Sequence, residues 1–352
     1  MPGQRKIRVT IDAMGGDHAP YSIVEGAVQA YRELGDKVEI SLVGNSDIVK
    51  TELAKLNATD MPIRIIHSDE AIGMADEPAE SVRKKPNSSI VVGLEQQKKG
   101  ESDAFISAGN TGAVMAGSLL VLGRLKGVNR PAIGTFFPSE RGRSLVLDVG
   151  ANSDCKAINL YQFALMGAIY YSHMFSNENP TIGLLSIGEE KSKGNELTIA
   201  SHKLISETDL NFAGNIEGRD ILKGKADVVI CDGFVGNIIL KFAESIDSFL
   251  GETVRRKVRA NLLAKIGALL LRPAFRDLKK KLDYAEYGGA PLLGVNGVSI
   301  ICHGGSSAKA IKNAVSMSMT MVAKNINNLI ENKVKANGDL KTGDGEKRQP
   351  NE

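Results

Sequence analysis

The sequence predicts an α/β fold in three layers, with helices on both faces of a mostly parallel sheet. Short β-branched runs alternate with longer helical patterns along most of the 352 residues. Several of the short runs also end in glycine and a polar side chain, as strands do where an α/β sheet binds a ligand. The length suits one large domain or two lobes around a cleft.

The predicted strands are runs rich in Val and Ile: Ile7–Asp12, Val38–Val43, Ile63–His67, Asp103–Ser107, Ala132–Phe137, Leu145–Val149, Thr181–Ile187, Asp227–Asp232 and Val298–Cys302. The predicted helices lie between them, at Tyr21–Leu34, Asp47–Leu56, Ser89–Lys98, Thr111–Leu122, Leu160–Phe175, Glu196–Glu207, Val235–Leu250 and Ser307–Ile330. The tail 333–352 is polar and contains Gly338, Gly343, Gly345 and Pro350, so we expect it to be disordered.

The composition is that of an ordinary globular protein, with 42% apolar and 24% charged residues. A net charge of only +3 gives no reason to expect nucleic acid as a partner. The three cysteines show no Cys-x-x-Cys spacing, which argues against zinc and against a disulfide framework. No signal peptide is visible and no apolar run is long enough to cross a bilayer, so we expect a cytoplasmic protein.

The loop after the first predicted strand carries the most chemistry for its length. Its sequence, IDAMGGDHAP, places Asp12, Asp17 and His18 around Gly15 and Gly16 and leads into a helix. A glycine turn before a helix leaves backbone N–H groups free, which suits an anion. The same loop also fits a tight turn with a helix cap, but two aspartates and a histidine favour a functional site.

Five more strand ends repeat this pattern of glycine beside Asp, Asn, His or Lys. Ligands bind at the carboxyl ends of strands in open α/β sheets, so we expect these ends to form one composite site with the first loop. The residues are Gly109, Asn110, Thr111 and Gly112, then Asp148 and Asn152, then Gly188, Lys193 and Gly194, then Asp232, Gly233 and Asn237, and finally His303, Gly304 and Gly305.

Several familiar sites are excluded by spacing. The loops match neither the nucleoside triphosphate P-loop nor the glycine fingerprint of dinucleotide-binding strands. The chain has no Gly-x-Ser-x-Gly elbow, and Cys302 and His303 are adjacent strand residues that point to opposite faces. A covalent acyl-enzyme is therefore not expected, and the loops suit a site that holds an anion and polarises a carbonyl group.

Residues 245–283 predict a protruding helical hairpin. Residues 255–281 carry ten Lys or Arg side chains and one acid, a net charge of +9 in a chain of +3. Apolar residues recur every fourth position from Ile246 to Leu270, which indicates a helix, and Gly267 and Pro273 mark a tip. The apex is apolar and the basic candidates flank it: Leu269, Leu270, Leu271 and Phe275, with Arg255, Arg256 and Arg259.

Two partners fit such a hairpin. An apolar apex ringed by cations is typical of a segment that enters the interface of an anionic membrane. A dimer interface with a solvated basic face fits as well, and both hold if the helix bases dimerise while the tips reach lipid. Ile246, Leu250 and Val254 are then expected to be buried in the dimer, and the apex to be exposed.

These motifs together resemble the bacterial phosphate acyltransferases of phospholipid synthesis, the acyl-acyl carrier protein:phosphate transacylases. The resemblance covers about residues 7–330. It rests on IDAMGGDHAP from Ile11, SAGNTGA from Ser107, DVGAN from Asp148, GLLSIG from Gly183 with Lys193-Gly194, NIEGRD from Asn215, DVVICDGFVGN from Asp227 and GAPLLGVN from Gly289.

The resemblance implies that inorganic phosphate attacks the thioester of a long-chain acyl group on acyl carrier protein, giving acyl phosphate and the free carrier thiol. It implies a fold like that of isocitrate and isopropylmalate dehydrogenases and phosphotransacetylase, with two lobes around a cleft in one domain, 1–332. It also implies a homodimer, no metal or other cofactor, and a membrane glycerol-3-phosphate acyltransferase as the next enzyme, reached from the inner face of the cell membrane.

Within that chemistry the protein has to position phosphate and stabilise a tetrahedral oxyanion. We expect Lys193 to hold phosphate, His18 or Asn110 to donate to the oxyanion, and Asp232 to orient His18 or a lysine. Further phosphate or substrate contacts are expected at Asp12, Gly15, Gly16, Asp17, Gly109, Thr111, Asn152, Gly194 and Asn237.

A basic surface is expected to dock the carrier protein, because acyl carrier proteins are generally acidic. The hairpin and Arg83-Lys84-Lys85 are the candidates. Two other functions stay open at this point: a pyridine-nucleotide dehydrogenase on the same architecture, and a non-catalytic scaffold at the membrane surface.

Overall fold

The fold was obtained as a computed structural model, which describes residues 5–276 and 288–337. Eleven strands form one sheet in the order β3-β2-β1-β4-β11-β10-β5-β6-β9-β7-β8. The strands are β1 Ile7–Asp12, β2 Val38–Gly44, β3 Ile63–His67, β4 Ala104–Ser107, β5 Ala132–Ser139, β6 Gly142–Leu147, β7 Ile182–Leu185, β8 Phe212–Ile216, β9 Val228–Ile230, β10 Ala290–Leu293 and β11 Val298–Ile301.

Helices cover both faces of this sheet, as the sequence predicts. They are α1 Tyr21–Leu34, α2 Ser46–Lys55, α3 Pro78–Lys84, α4 Ser89–Lys98, α5 Thr111–Gly117, α6 Ala157–Phe175, α7 Glu196–Ser206, α8 Gly218–Lys223, α9 Gly233–Arg259, α10 Leu262–Leu270, α11 Ala308–Ala323 and α12 Ile326–Ala336.

The core lies on both faces of the central strands. Every residue of β4, β9 and β11 is buried. Strands covered on both faces read as continuous apolar runs instead of alternating ones, and this is why these runs were recognisable in the sequence. Neighbouring residues of one strand belong to two different apolar clusters: Ile106 of β4 packs in one and Phe105 of β4 packs in the other. This is expected because successive side chains of a strand point to opposite faces of the sheet.

The sheet is mixed, and this changes where its strand ends lie. Strands β1, β2, β3, β4 and β11 run parallel, but β10 is antiparallel to β11 and to β5, and β5 is antiparallel to β6. A two-residue turn between Ser139 and Gly142 forces the last reversal. Strands β6, β9, β7 and β8 are parallel to one another and therefore run opposite to the β1 group.

One composite site at one carboxyl edge is therefore the wrong expectation. The ends of β1, β4 and β11, which are neighbours, lie at one edge of the sheet. The ends of β6, β9 and β7, also neighbours, lie at the other edge. The six polar strand ends form two sets of three, which we call the first set and the second set.

The hairpin differs from its prediction in where the chain bends. Helix α9 ends at Arg259, and the Asn261 Oδ1 atom accepts the Leu263 N–H at 2.8 Å to begin α10. Gly267 therefore lies inside α10 and does not mark the tip. The continuous apolar spacing predicted one unbroken helix through this region, but the asparagine cap begins a new helix after Asn261. The part of the predicted hairpin at 277–283 lies outside the described residues.

The C-terminal part of the chain is more ordered than predicted. Helix α12 continues through Lys333 to Ala336, and Val334 is buried in the core. The Asn337 side chain donates to the Tyr161 hydroxyl at 2.9 Å. The prediction of a disordered tail from 333 is thus wrong for 333–337, and 338–352 lie outside the described residues.

Candidate functional site

Asp12 organises the first loop from a buried position. Its Oδ2 atom accepts a hydrogen bond from the Ser107 hydroxyl at 2.7 Å, and its Oδ1 atom accepts the Met14 N–H at 3.0 Å. Burial raises the pKa of this carboxyl, against the opposing effect of those hydrogen bonds. Asp12 therefore shapes the turn and links β1 to β4, and it does not face a ligand.

Glycines 15 and 16 let three loops of the first set pack against one another. A Cβ atom on Gly15 would lie 2.7 Å from the Gly109 nitrogen, and one on Gly16 would lie 3.0 Å from the Gly304 carbonyl oxygen. Gly16 also has φ +111°, which other residues rarely adopt. The Asp17 N–H donates to the same Gly304 oxygen at 2.8 Å.

Asn110 corrects the sequence-based assignment of an oxyanion donor. Its Nδ2 atom donates to the carbonyl oxygens of Gly73, Met74 and Asp76 at 3.0–3.3 Å. Its Oδ1 atom accepts the Ala113 N–H at 3.0 Å and caps α5. Both amide hydrogens are engaged and the residue is buried, so Asn110 holds the 73–76 loop against α5.

Four polar side chains remain exposed on the first set: Asp17, His18, Thr111 and His303. Thr111 is the first residue of α5, and Asp17 lies against Gly304. Gly109 is buried beneath them and its N–H donates to the Ser107 hydroxyl at 3.0 Å. Asp17, His18 and Thr111 are therefore available to a ligand, whereas Asp12, Gly109 and Asn110 support the loops.

The second set is organised around Asp148, which follows β6. Its Oδ1 atom accepts the N–H groups of Ile133, Gly150 and Ala151 at 2.9–3.2 Å. Its Oδ2 atom accepts the backbone N–H and the side-chain amide of Asn152, both at 2.8 Å. Burial nevertheless raises the pKa of this carboxyl.

Asn152 joins the loop after β6 to its neighbours. Its Nδ2 atom also donates to the Pro131 carbonyl at 2.7 Å, so both amide hydrogens are used. Its own carbonyl accepts the Gly233 N–H at 2.7 Å. The predicted role of Asn152 as a side-chain phosphate ligand does not fit these bonds; it positions the start of α9 instead.

Helix α9 begins directly on this loop. A Cβ atom on Gly233 would lie 2.8 Å from the Asp148 Oδ2 atom. Asp232 caps the helix, with its Oδ1 atom accepting the Val235 N–H at 2.9 Å. Asn237, one turn further on, is exposed, and its Oδ1 atom lies 3.5 Å from the Cβ position of Gly150.

Lys193 and Gly194 lie in the loop after β7, at the same edge as Asp232 and Asn237. The Lys193 side chain is exposed. The Lys193 carbonyl accepts the Ser186 hydroxyl at 3.1 Å, and Gly194 has φ +113°. In the described residues no hydrogen bond joins this loop to the Gly15–Gly16 turn, and β7 is seven places from β1 in the sheet.

Helix α9 is the element that connects the two sets. It starts in the second set, and near its middle the Glu244 Oε1 atom lies 4.0 Å from the His303 Nε2 atom of the first set. The part of α9 from Gly233 to Glu244 therefore links the two sets. The sequence placed His303 at a strand end, but it gave no signal of its Glu244 partner.

The three cysteines have thiol groups that burial keeps protonated. Burial and the charges of Asp148 and Asp232 raise the pKa of Cys155 to about 11. Burial alone raises the pKa of Cys302 to about 12, and the pKa of Cys231 is also raised. A thiol with such a pKa is a poor nucleophile near neutral pH.

The hairpin exposes both its apex and its base in the single chain. The apex residues Leu269, Leu270, Leu271 and Phe275 are 42–77% exposed. Ile246, Leu250 and Val254 are 41–54% exposed, so their predicted burial depends on a second copy and stays a prediction. Arg255, Arg256 and Arg259 line a recess of about 460 Å³ together with Glu252 and Ala260.

The fold is shared with solved phosphotransacetylases. A phosphotransacetylase from Streptococcus pyogenes superposes with a TM-score of 0.63 at 18% identity, covering 90% of this chain and 94% of the other. The EutD phosphotransacetylase from Staphylococcus aureus gives a TM-score of 0.58 at 16% identity, covering 90% of this chain and 94% of the other. These likenesses define the class of architecture and confirm the predicted fold.

Sequence relatives define the family. The profile of the family described as "Fatty acid synthesis protein" matches residues 7–329. A phosphate acyltransferase from Geobacter sulfurreducens is 51% identical over 328 residues, covering 93% of this chain and 94% of the relative. Another from Heliobacterium modesticaldum is 51% identical over 320 residues, covering 91% and 95%. The chain belongs to the family of bacterial phosphate acyltransferases and is an acyltransferase.

Proposed function

We propose that this protein transfers a long-chain acyl group from the thioester of an acyl carrier protein to inorganic phosphate. The product is an acyl phosphate that serves phospholipid synthesis. Acyl transfer to phosphate follows from the family, and one structural observation supports a site for it. The loops after β6, β9 and β7, three neighbouring parallel strands, bring Asp232, Asn237 and Lys193-Gly194 to one edge of the sheet.

The chemistry asks little of the protein beyond placement and charge. A phosphate oxygen attacks the thioester carbon, a tetrahedral oxyanion forms, and the C–S bond breaks to release the carrier thiol. Lys193 offers a positive charge to the phosphate. The exposed amide of Asn237 offers a hydrogen-bond donor to an anion. The dipole of the 27-residue helix α9, which begins at the same place, favours negative charge there.

His18 is proposed to contact the acyl thioester from the first set, where the Asn110 amide is fully engaged. Its side chain is exposed beside Asp17 and Thr111. Asp232 uses Oδ1 to cap α9, which leaves Oδ2 to orient Lys193. The absence of a cysteine with a lowered pKa in the described residues supports direct attack by phosphate.

The function is tested by mixing the purified protein with palmitoyl-acyl carrier protein and phosphate and trapping acyl phosphate with hydroxylamine. We expect hydroxamate to form only when phosphate is present. Lys193→Met is expected to raise the phosphate concentration needed, since a charge that binds the anion is lost. The matched control is Lys191→Met, an exposed lysine in the same loop. Hydroxamate yields independent of phosphate contradict the proposal.

The carrier protein is proposed to dock on the hairpin. Of the two basic candidates, Arg83-Lys84-Lys85 is largely neutralised: Lys84 pairs with Glu80, and Lys85 pairs with Asp76 at 2.7 Å. The arginines of α9 surround a recess with only Glu252 as a counter-charge in its lining. An acidic partner therefore finds more uncompensated positive charge on α9.

The hairpin apex is proposed to contact an anionic membrane surface from the cytoplasmic side. Four exposed apolar side chains at the apex suit insertion at the lipid interface, and the arginines of the hairpin suit anionic headgroups. In the described residues no helix meets the length and hydropathy needed to span a bilayer. Peripheral contact would bring the acyl phosphate to a membrane glycerol-3-phosphate acyltransferase.

A homodimer is proposed through α9. Its apolar residues Phe234, Ile238, Phe242, Ile246 and Phe249 are 41–66% exposed in the single chain. Together they form one stripe along the helix, and a second copy of this chain would bury it.

The two rival functions, a dehydrogenase and a non-catalytic scaffold, find no support in a family of phosphate acyltransferases.

A further inference from the structure

Asn215, near the end of β8, is buried but its amide reaches the loop that carries Lys193. The residue is 2% exposed. Its Nδ2 atom donates to the Glu190 carbonyl at 2.9 Å and lies 3.4 Å from the Lys193 carbonyl. The same Glu190 oxygen accepts the Lys193 N–H at 3.0 Å and closes a turn. The Asn215 amide thus stabilises the turn 190–193, which carries the Lys193 side chain.

His202 on α7 fixes the orientation of that amide. Its Nδ1 atom lies 3.0 Å from the Asn215 Oδ1 atom, and the residue is 7% exposed. Because an amide oxygen only accepts, the imidazole has to carry its hydrogen on Nδ1. The Phe212 ring packs edge-on against the imidazole at 5.2 Å between centroids. The amide of Asn215 is therefore held at both ends and cannot flip without losing its partners.

We infer that Asn215 and His202 are positioning residues for the phosphate acceptor, acting through Lys193. The inference rests on the proposed phosphate-binding role of Lys193. The Lys193 side chain is exposed and flexible, so the place of its charge depends on where the turn holds its backbone. Apart from Asn215, the Lys193 carbonyl has the Ser186 hydroxyl as its hydrogen-bond partner among the described residues. A small displacement of a positioning group is costly to catalysis.

The first test is Asn215→Asp, which keeps the size of the side chain but replaces the donor by an acceptor facing two carbonyl oxygens. We expect the KM for phosphate to rise about tenfold, with the KM for the acyl carrier thioester unchanged. The control is Asn211→Asp, which removes a comparable bond, from Nδ2 to the Asn179 carbonyl at 3.0 Å, away from the Lys193 loop.

Two variants of His202 test the same positioning role while leaving Asn215 unchanged. His202→Leu removes the donor to Oδ1 and is expected to raise the phosphate KM in the same way. His202→Asn retains an N–H donor close to the position of Nδ1, and we expect it to restore most of the phosphate affinity. If both histidine variants lower the melting temperature equally and leave the phosphate KM unchanged, His202 is only structural and the inference fails for it.

A double-mutant cycle separates positioning from general stability. In a Lys193→Met background, Asn215→Asp is expected to have no further effect on the phosphate KM. A persisting tenfold effect there overturns the inference, because Asn215 then acts on something other than Lys193. Where Asn215→Asp does not fold, His202→Leu completes the cycle. If Lys193→Met itself leaves the phosphate KM unchanged, the proposed role of Lys193 fails. If Lys193→Met raises it but neither Asn215→Asp nor His202→Leu does, only this inference fails.

Discussion

Replacing Asp148 by asparagine tests whether this carboxylate holds the second set together. Its two oxygens accept five N–H groups from the segment around β5 and from the loop after β6. Asparagine can keep the three bonds at Oδ1, but it then presents an NH₂ group where Oδ2 accepted two donors from Asn152. Asp148→Asn therefore exchanges two bonds to a charged acceptor for donor–donor repulsion.

The size of the effect follows from those two bonds. A hydrogen bond to a charged group contributes about 1.5–3 kcal/mol, so losing two costs about 3–6 kcal/mol before relaxation. Loss of the buried charge offsets a part, since burial raises the pKa of Asp148 and so disfavours the ionised form. We expect about 3 kcal/mol of net destabilisation. With an unfolding entropy of about 2.1 cal/mol/K per residue, that lowers the melting temperature by about 4 °C for this chain.

The assay is thermal unfolding followed by circular dichroism, with phosphate-dependent activity measured below the transition. The control is Asp154→Asn, which changes an exposed aspartate close by. Surface substitutions typically change the free energy of unfolding by at most about 0.5 kcal/mol. We therefore expect the melting temperature of the control to lie within about 1 °C of the wild-type value. If Asp148→Asn has the same melting temperature as the control, the carboxylate does not organise this edge of the sheet and the reasoning is refuted.

Three further predictions concern other parts of the chain. Because burial raises the pKa of Asp12 above 3.8, its charge opposes folding at neutral pH, and the free energy of unfolding rises as the pH falls through the raised value toward 3.8. Asp12→Asn should lessen this dependence of the unfolding free energy on pH, measured by urea titrations at several pH values. An unchanged pH dependence contradicts the prediction. Serine at Cys155, Cys231 or Cys302 should leave activity within about tenfold of the wild type, while a loss above about a hundredfold, equal to about 2.7 kcal/mol, in folded protein argues for a covalent intermediate. Leu270→Glu combined with Leu271→Glu should release the protein from anionic vesicles but keep its activity on soluble carrier protein. The control is Leu222→Glu, at an exposed position of α8, and dissociation of the double variant into monomers would instead assign the apex to the dimer.

The fold could be predicted from the sequence because its strands are marked by local composition. Nine of the eleven strands were recognised, and the two that were missed, β8 and β10, are short runs interrupted by Gly214 and Pro291. The direction of β6 was not predicted, since the two-residue turn at 140–141 carries no Asn-Gly or Asp-Gly signal. That one turn decides that the strand ends divide into two sets.

The candidate site could be predicted less well, because residue type does not tell which polar side chains are already engaged. Asn110 and Asn152 look like ligands in the sequence, yet their amides are used by neighbouring carbonyl groups. Asp148 looks like one strand end among several, yet it is the central acceptor of the second set. These roles depend on segments distant in sequence, such as the loop 73–76 and the start of β5 at 131–133, which a motif does not contain.

Direct attack of phosphate on the thioester is the central claim, and release of the carrier thiol tests it most directly. The protein is mixed rapidly with excess palmitoyl-acyl carrier protein, first without phosphate and then with it, while free thiol and acyl phosphate are both quantified. We expect no thiol release before phosphate is added, and afterwards equal amounts of thiol and acyl phosphate. A burst of thiol equal to the amount of enzyme in the absence of phosphate would reveal an acyl-enzyme and contradict the account.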